Sequence, residues 1–266
     1  MDARPSPTEI AFACRQLSDG KRVTCPTSPD ADVDAADLVI DGGFQECRGA
    51  NINNNQFYVE NIEELQDDAR EWFLKADGAG APSLRYIPPA GLDINDPSTA
   101  VVGAVLKRVI EVEGAAGVTL RGLTITATAP TFLESYECPS GGDWSIHRGA
   151  AVFVEDSSDI TIEGLTFDQV SGNALMFSNE VMDSTVRKCL FKEVGDSAIS
   201  MLGSTQQMVG VAGKGLYPSR NLIESNLVDV VGVYGKQTSA YFKAKSRANV
   251  VRRNVFMIGP RAGVSP

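Results

Sequence analysis

Among the side chains able to move a proton, Asp196 has the most suggestive setting. It opens the alternating stretch Gly195-Asp-Ser-Ala-Ile-Ser-Met201, at a register that should face outward. A carboxyl so placed can serve as a general acid or base. His147, the single histidine, is followed by Arg148. Its chemical reading is a general base. Its structural reading is a hydrogen-bonded core histidine, because register from Gly149 sets it opposite Val170 and Val194. A second carboxyl nearby would complete an acid–base pair. Asp143, Asp168 and Glu155 are the candidates for the second acid, but Asp168 aligns with Lys192 and Asp229, so that file is not an acidic ladder.

A polar column, Asn173, Asp196, Lys236 with Gln237, and Arg261, falls near the starts of successive strands. Such groups can hydrogen-bond hydroxyls, with Lys or Arg orienting a carboxylate. The plainer alternative is turn side chains capping loose backbone groups. Arg148 joins the binding candidates, because it lies in a long excursion, residues 126–148, with Glu134, Glu137, Asp143 and Trp144. Long loops on a rigid scaffold are where binding and chemistry concentrate. Tyr241 alternates with Ala240 and Phe242; if those two face inward, Tyr241 and Lys243 face out, and Tyr241 offers a stacking surface. Core packing is the competing reading.

These side chains must be held by a repeat. Val118-Thr-Leu-Arg-Gly-Leu-Thr-Ile125 recurs as Ile160–Phe167, Ser184–Phe191, Asn221–Val228 and Asn249–Phe256, each apolar at its third and last positions. Fixed-period self-similarity marks a solenoid, whose units bury their apolar faces only by stacking. Between copies the residues alternate: Leu175 and Phe177 match Ile199 and Met201. Period two argues strands rather than helices. The spacing predicts an all-β parallel β-helix of about five coils over residues 105–266. Cys189, Asn226 and Asn254 share one register with Leu123 and Leu165, as an internal ladder requires.

Residues 1–50, rich in Pro, Asp, Ser and Gly, read as irregular, and 51–104 as a helix and hairpin region packing on the solenoid. Asn61-Ile-Glu-Glu64 has capping-box spacing before Ile62, Leu65 and Ala69, which predicts a short helix. Glu71–Lys75 and Ser83–Pro88 flank a Gly- and Ala-rich turn, which predicts a hairpin.

A net charge of −10 argues against nucleic acid or an anionic membrane as partner. The start, Met1 to Pro7, lacks the apolar run of a secretory signal. The compartment is therefore left open, with an extracellular location expected if the true N-terminus lies upstream. Cys14, Cys25, Cys47, Cys138 and Cys189 show no metal-ligand spacing. The dense acidic runs Asp30 to Asp34 and Glu63 to Asp68 lie outside the repeats. Neither a metal site nor a cofactor is expected.

Several segments in order carry a resemblance: Asn55–Asn61, Glu71-Trp-Phe73, Tyr86-Ile-Pro-Pro89, Asp143-Trp-Ser-Ile-His-Arg-Gly149, Gly195–Ile199, Gly235–Phe242 and Gly259-Pro-Arg-Ala-Gly263. The chain resembles right-handed parallel β-helix proteins of the pectate-lyase-like superfamily, whose characterised relatives look like glycoside hydrolases. The resemblance implies a polysaccharide or oligosaccharide partner and hydrolysis of a glycosidic bond in the full-length form. A non-catalytic carbohydrate-binding or structural solenoid is the first alternative and a polysaccharide lyase the second. In that family the Gly259–Gly263 segment leads into further coils, so the resemblance also implies a solenoid left incomplete at Pro266.

Overall fold

The computed structural model describes residues 15–16, 22–26, 35–39, 62–75, 82–132, 134–140, 144–205 and 216–265. The chain divides into two compact units, Met1–Asp41 with Asn51–Val102, and Gly42–Ala50 with Gly103–Pro266.

In the first unit, Arg15–Gln16, Arg22–Pro26 and Ala35–Val39 form a three-stranded antiparallel sheet inside the segment read as irregular. Strands of two to five residues are too short to impose a period on the sequence. The expected helix is reduced to one 3-10 turn, Glu63–Leu65. The Glu71 carboxylate accepts the backbone N–H groups of Asp67 at 2.7 Å and Asp68 at 2.9 Å. Arg70 then takes a left-handed φ of 78°, so the chain swings into the hairpin before a second helical turn can form. That hairpin, Trp72–Lys75 with Ser83–Tyr86, is antiparallel as expected.

The second unit is a parallel β-helix. Its first sheet orders Ile110–Glu113, Val152–Glu155, Leu175–Ser178, Ile199–Leu202, Ser239–Ala244 and Ala262–Ser265 side by side. The second stacks Thr119–Arg121, Thr161–Glu163, Thr185–Arg187, Leu222–Glu224 and Val250–Arg252. The third stacks Thr124–Thr126, Thr166–Asp168, Leu190–Lys192, Leu227–Val230 and Val255–Ile258. The octapeptide repeat thus supplies one strand each to the second and third sheets.

Alternation sends one side chain in two to the interior, and stacking aligns these into files. Ile110, Val152, Leu175, Ile199 and Tyr241 form one file, and Ile125, Phe167, Phe191, Val228 and Phe256 another. The rings of Phe167 and Phe191 stack at 4.7 Å with only 4° between their planes. Burying each such side chain contributes roughly 1.5–3 kcal/mol.

The corner between the second and third sheets is a single left-handed residue in each coil: Gly122, Gly164, Lys188, Ser225 and Arg253, at φ of 54–66°. Non-glycine residues adopt this conformation at a cost of about 1–2 kcal/mol. Coil-to-coil hydrogen bonds offset it, as from Ser225 N–H to the Arg252 carbonyl at 3.3 Å.

The expected amide ladder is present. The Asn226 side chain accepts the Cys189 N–H at 2.9 Å and donates to the Val186 carbonyl at 3.1 Å and to Asn254 Oδ1 at 2.9 Å. On the outer face of the second sheet, charge alternates coil by coil: Arg121, Glu163, Arg187, Glu224, Arg252. Glu163 bridges Arg121 at 2.9 Å and Arg187 at 3.1 Å, and Glu224 bridges Arg252 at 2.9 Å.

Candidate functional site

The outer face of the first sheet is not a solvated surface. Phe153, Met176, Leu202, Phe242 and Ala244 project from it and pack with Ile146 and Ala150 into a second apolar cluster. Ile146 belongs to the 126–148 excursion, so that excursion roofs the sheet. Its strand Trp144–Ile146 pairs antiparallel with Glu137–Ser140. The Arg148 guanidinium secures it, gripping Glu137 at 2.7 and 2.9 Å while donating to Ser178 Oγ at 2.7 Å and the Gly203 carbonyl at 3.0 Å. Burial pulls the Glu137 carboxyl upward, but hydrogen bonds from Arg148 and Thr205 outweigh it and hold Glu137 below the ordinary range. With its donors so engaged, Arg148 tethers the excursion.

Asp196 lies under this roof, against the expectation that it faces outward; only 3% of it is exposed. Its N–H donates to the Gly172 carbonyl and its carbonyl accepts from the Gly232 N–H, both at 3.1 Å. Gly195 before it is obligatory, since a Cβ there would lie 2.1 Å from the Ser171 carbonyl oxygen. Asp196 lines a narrow cleft with Tyr136, Ser145, His147, Gln237, Thr238 and Phe242. Both carboxylate oxygens are buried and accept no hydrogen bond, and Ser145 Oγ is likewise without a partner. Desolvation disfavours the charged form and pushes the Asp196 carboxyl up to about 7.

His147 stands on the cleft wall, half-buried, rather than in the core beside Val170 and Val194. One ring nitrogen, Nδ1, lies 3.0 Å from the Ser135 carbonyl oxygen. A carbonyl only accepts, so Nδ1 carries the hydrogen and the neutral ring keeps its lone pair on Nε2. Nε2 would lie 2.6 Å from a Cβ at Gly149, so that glycine makes room for the ring.

Asn173 is one place out of the column expected for it. Its amide donates to the His147 and Gly149 carbonyls, both at 3.0 Å, while its oxygen accepts the Ser197 N–H at 3.1 Å. Buried to 2% exposure, it links the backbone beside Asp196 to that of His147, and both ends of its amide are engaged by the protein. Tyr241 is also corrected. It pairs with Ile199 and sits in the interior at 2% exposure, while Phe242 faces out beneath the roof. Burial pushes its phenol up to about 12.

Lys236 is exposed and donates to the carbonyls of Gly232 at 2.7 Å and Val233 at 2.9 Å, bracing that turn. Gln237 lines the cleft, and Arg261 is exposed on the last coil. Asp143 lies outside the described residues. Asp168 sits 3.6 Å from Lys192 on the third sheet, and Glu155 accepts the Ser178 hydroxyl, so neither joins Asp196. Sequence reading missed Tyr136 and Ser145, which reach the cleft only because the excursion folds over the sheet.

Among the described residues no three His, Cys, Asp or Glu side chains converge as a metal centre requires. Cys138 is disulfide-bonded. Cys189 is a free, buried thiol, and desolvation raises its ionisation above the usual range.

No protein-family model matches this chain, and no curated protein matches its sequence. Among solved structures, one named "Glycoside hydrolase" superimposes with a TM-score of 0.61 at 17% identity, covering 90% of this chain and 48% of its own. That likeness shows the fold, and the chain spans about half the length of the structure it matches.

Proposed function

We propose that this chain is a carbohydrate-active β-helix that hydrolyses a glycosidic bond in a polysaccharide or oligosaccharide. The observation that carries the reading is the Asp196 carboxyl: desolvated, without a hydrogen-bond partner, and lining one cleft with His147. An acid with a pKa of about 7 keeps its proton near neutrality, as a general acid must. Asp196 gives that proton to the leaving glycosidic oxygen as the bond to the anomeric carbon breaks. Water attacks the same carbon, and its proton passes to Nε2 of His147. Asp143, in the same excursion, is the candidate for a second carboxyl in this role. The cleft has room for about one water-sized group, far less than an ordinary ligand site offers. The sugar chain therefore lies across its mouth, with the scissile oxygen dipping in.

One observation favours a non-catalytic carbohydrate-binding role as the second reading. Asp196 is the only carboxyl among the described residues lining the cleft, whereas most glycosidases use two. Assaying the full-length protein and its Asp196→Asn variant against a glycan panel separates the two. Hydrolysis that falls about 10²–10⁴-fold in the variant supports the catalytic role. Undiminished activity removes Asp196 from it, and binding without turnover by the parent supports the second reading.

A further inference from the structure

The two loops that form the lips of the Asp196 cleft meet in an aromatic pair outside it. One loop carries Phe132 and, four residues on, the cleft residue Tyr136; the other carries Tyr234 just before Gln237 and Thr238. The rings of Phe132 and Tyr234 stack at 5.6 Å with 27° between their planes. Tyr234 keeps 37% of its surface exposed. Both loops are anchored to the segments flanking Asp196. The N–H groups of Val233, Tyr234 and Gly235 donate to the carbonyls of Val194 and Gly195 at 2.9–3.1 Å. Beside Phe132, the Thr131 side chain packs so closely on Gly172 that a Cβ there would lie 2.4 Å from Thr131 Oγ1. Gly172 is the residue whose carbonyl receives the Asp196 N–H.

Resting on the carbohydrate reading above, we propose that Phe132 and Tyr234 form a sugar-stacking subsite on the rim of the cleft. It takes the apolar C–H face of a pyranose ring neighbouring the scissile bond. An aromatic pair presents a broad, polarisable surface with few internal rotations to lose. Here the turn that carries Tyr234 and the Thr131 side chain next to Phe132 are already held, so ordering the rings on binding costs little. A sugar lying across the cleft mouth meets this surface next. Tyr241, buried in the interior, leaves the stacking role to Tyr234.

The test uses the full-length protein in an Asp196→Asn background, with binding of xylohexaose, cellohexaose and hexagalacturonate followed by calorimetry. Tyr234→Ala and Tyr234→Leu should each weaken the bound hexasaccharide about tenfold, and Tyr234→Trp should retain it. Leucine can still pack against Phe132, so full affinity in Tyr234→Leu would show that the pair only clasps the loops and would overturn the proposal. Unchanged affinity in Tyr234→Ala would overturn it equally. If Tyr234→Ala fails to fold, the Leu and Trp variants decide. Failure of the parent to bind any of the three sugars would instead count against the carbohydrate reading itself and remove the basis of the subsite.

Discussion

Replacing Asp196 by Asn tests the burial argument independently of any substrate. The carboxyl titrates near 7 in the folded protein against 3.8 for an unperturbed aspartate. Between those values the native state holds a proton that the unfolded chain has released. Stability therefore falls as pH rises through this window: the contribution is complete below the unfolded value and gone above the folded one. A shift of about three units corresponds to roughly 4 kcal/mol over the window, or about 1.4 kcal/mol per pH unit. Asparagine has nearly the same shape but no titration. Its amide meets the same partnerless surroundings, which adds a cost independent of pH. Urea unfolding of parent and variant between about pH 4 and pH 8 at constant ionic strength gives the informative quantity, parent stability minus variant stability. That difference should decline by about 4 kcal/mol across the range. A flat difference would mean that the carboxylate reaches water or a cation, and the general-acid argument would fall with it.

Tyr241→Phe should leave stability unchanged or raise it by about 1 kcal/mol, because it removes a buried hydroxyl with no hydrogen-bond partner; urea midpoints measure this. Asn226→Ala should destabilise by about 2–4 kcal/mol, since it strands the Cys189 N–H and the Val186 carbonyl in the interior. Denaturation of this variant beside Asn254→Ala would check it, the latter being milder because Asn254 lies nearer the exposed last coil. Gly195→Ala should cost about 3 kcal/mol or more and displace Asp196, because its Cβ meets backbone that cannot move aside. The readout is a lowered melting temperature together with loss of the pH-dependent stability component described above.

The interior files were legible because stacking repeats one alternation. Leu175 and Phe177 announce Ile199 and Met201, and these pair in the structure as the sequence alignment requires. The amide ladder was legible for the same reason. Tyr241 was not, because the polar contrast of its strand points the wrong way. Ser239 and Lys243 share the phase of Tyr241, while the apolar Phe242 and Ala244 pack beneath the roof, and the strand's pairing with Ile199 set the phase instead. The burial of Asp196 was hidden by a long-range event, the folding of residues 126–148 over the first sheet. Its fastening, Arg148 to Glu137 and Ser178, obeys no period, so spacing alone could not reveal it. The short helix failed locally. Glu71 offered its carboxylate to the N–H groups of Asp67 and Asp68, and side-chain competition of that kind outweighs a few residues of helical spacing.

The alternating charges along the second sheet carry a rule about counting. Deleting the coil that holds Glu163 would bring Arg121 beside Arg187, and deleting the next would set Glu163 against Glu224. Removing both together would restore opposites, with Arg121 facing Glu224. The protein is thus built to lengthen or shorten in even steps, and a chimera that respects this parity should assemble where one with an odd number of turns meets like against like.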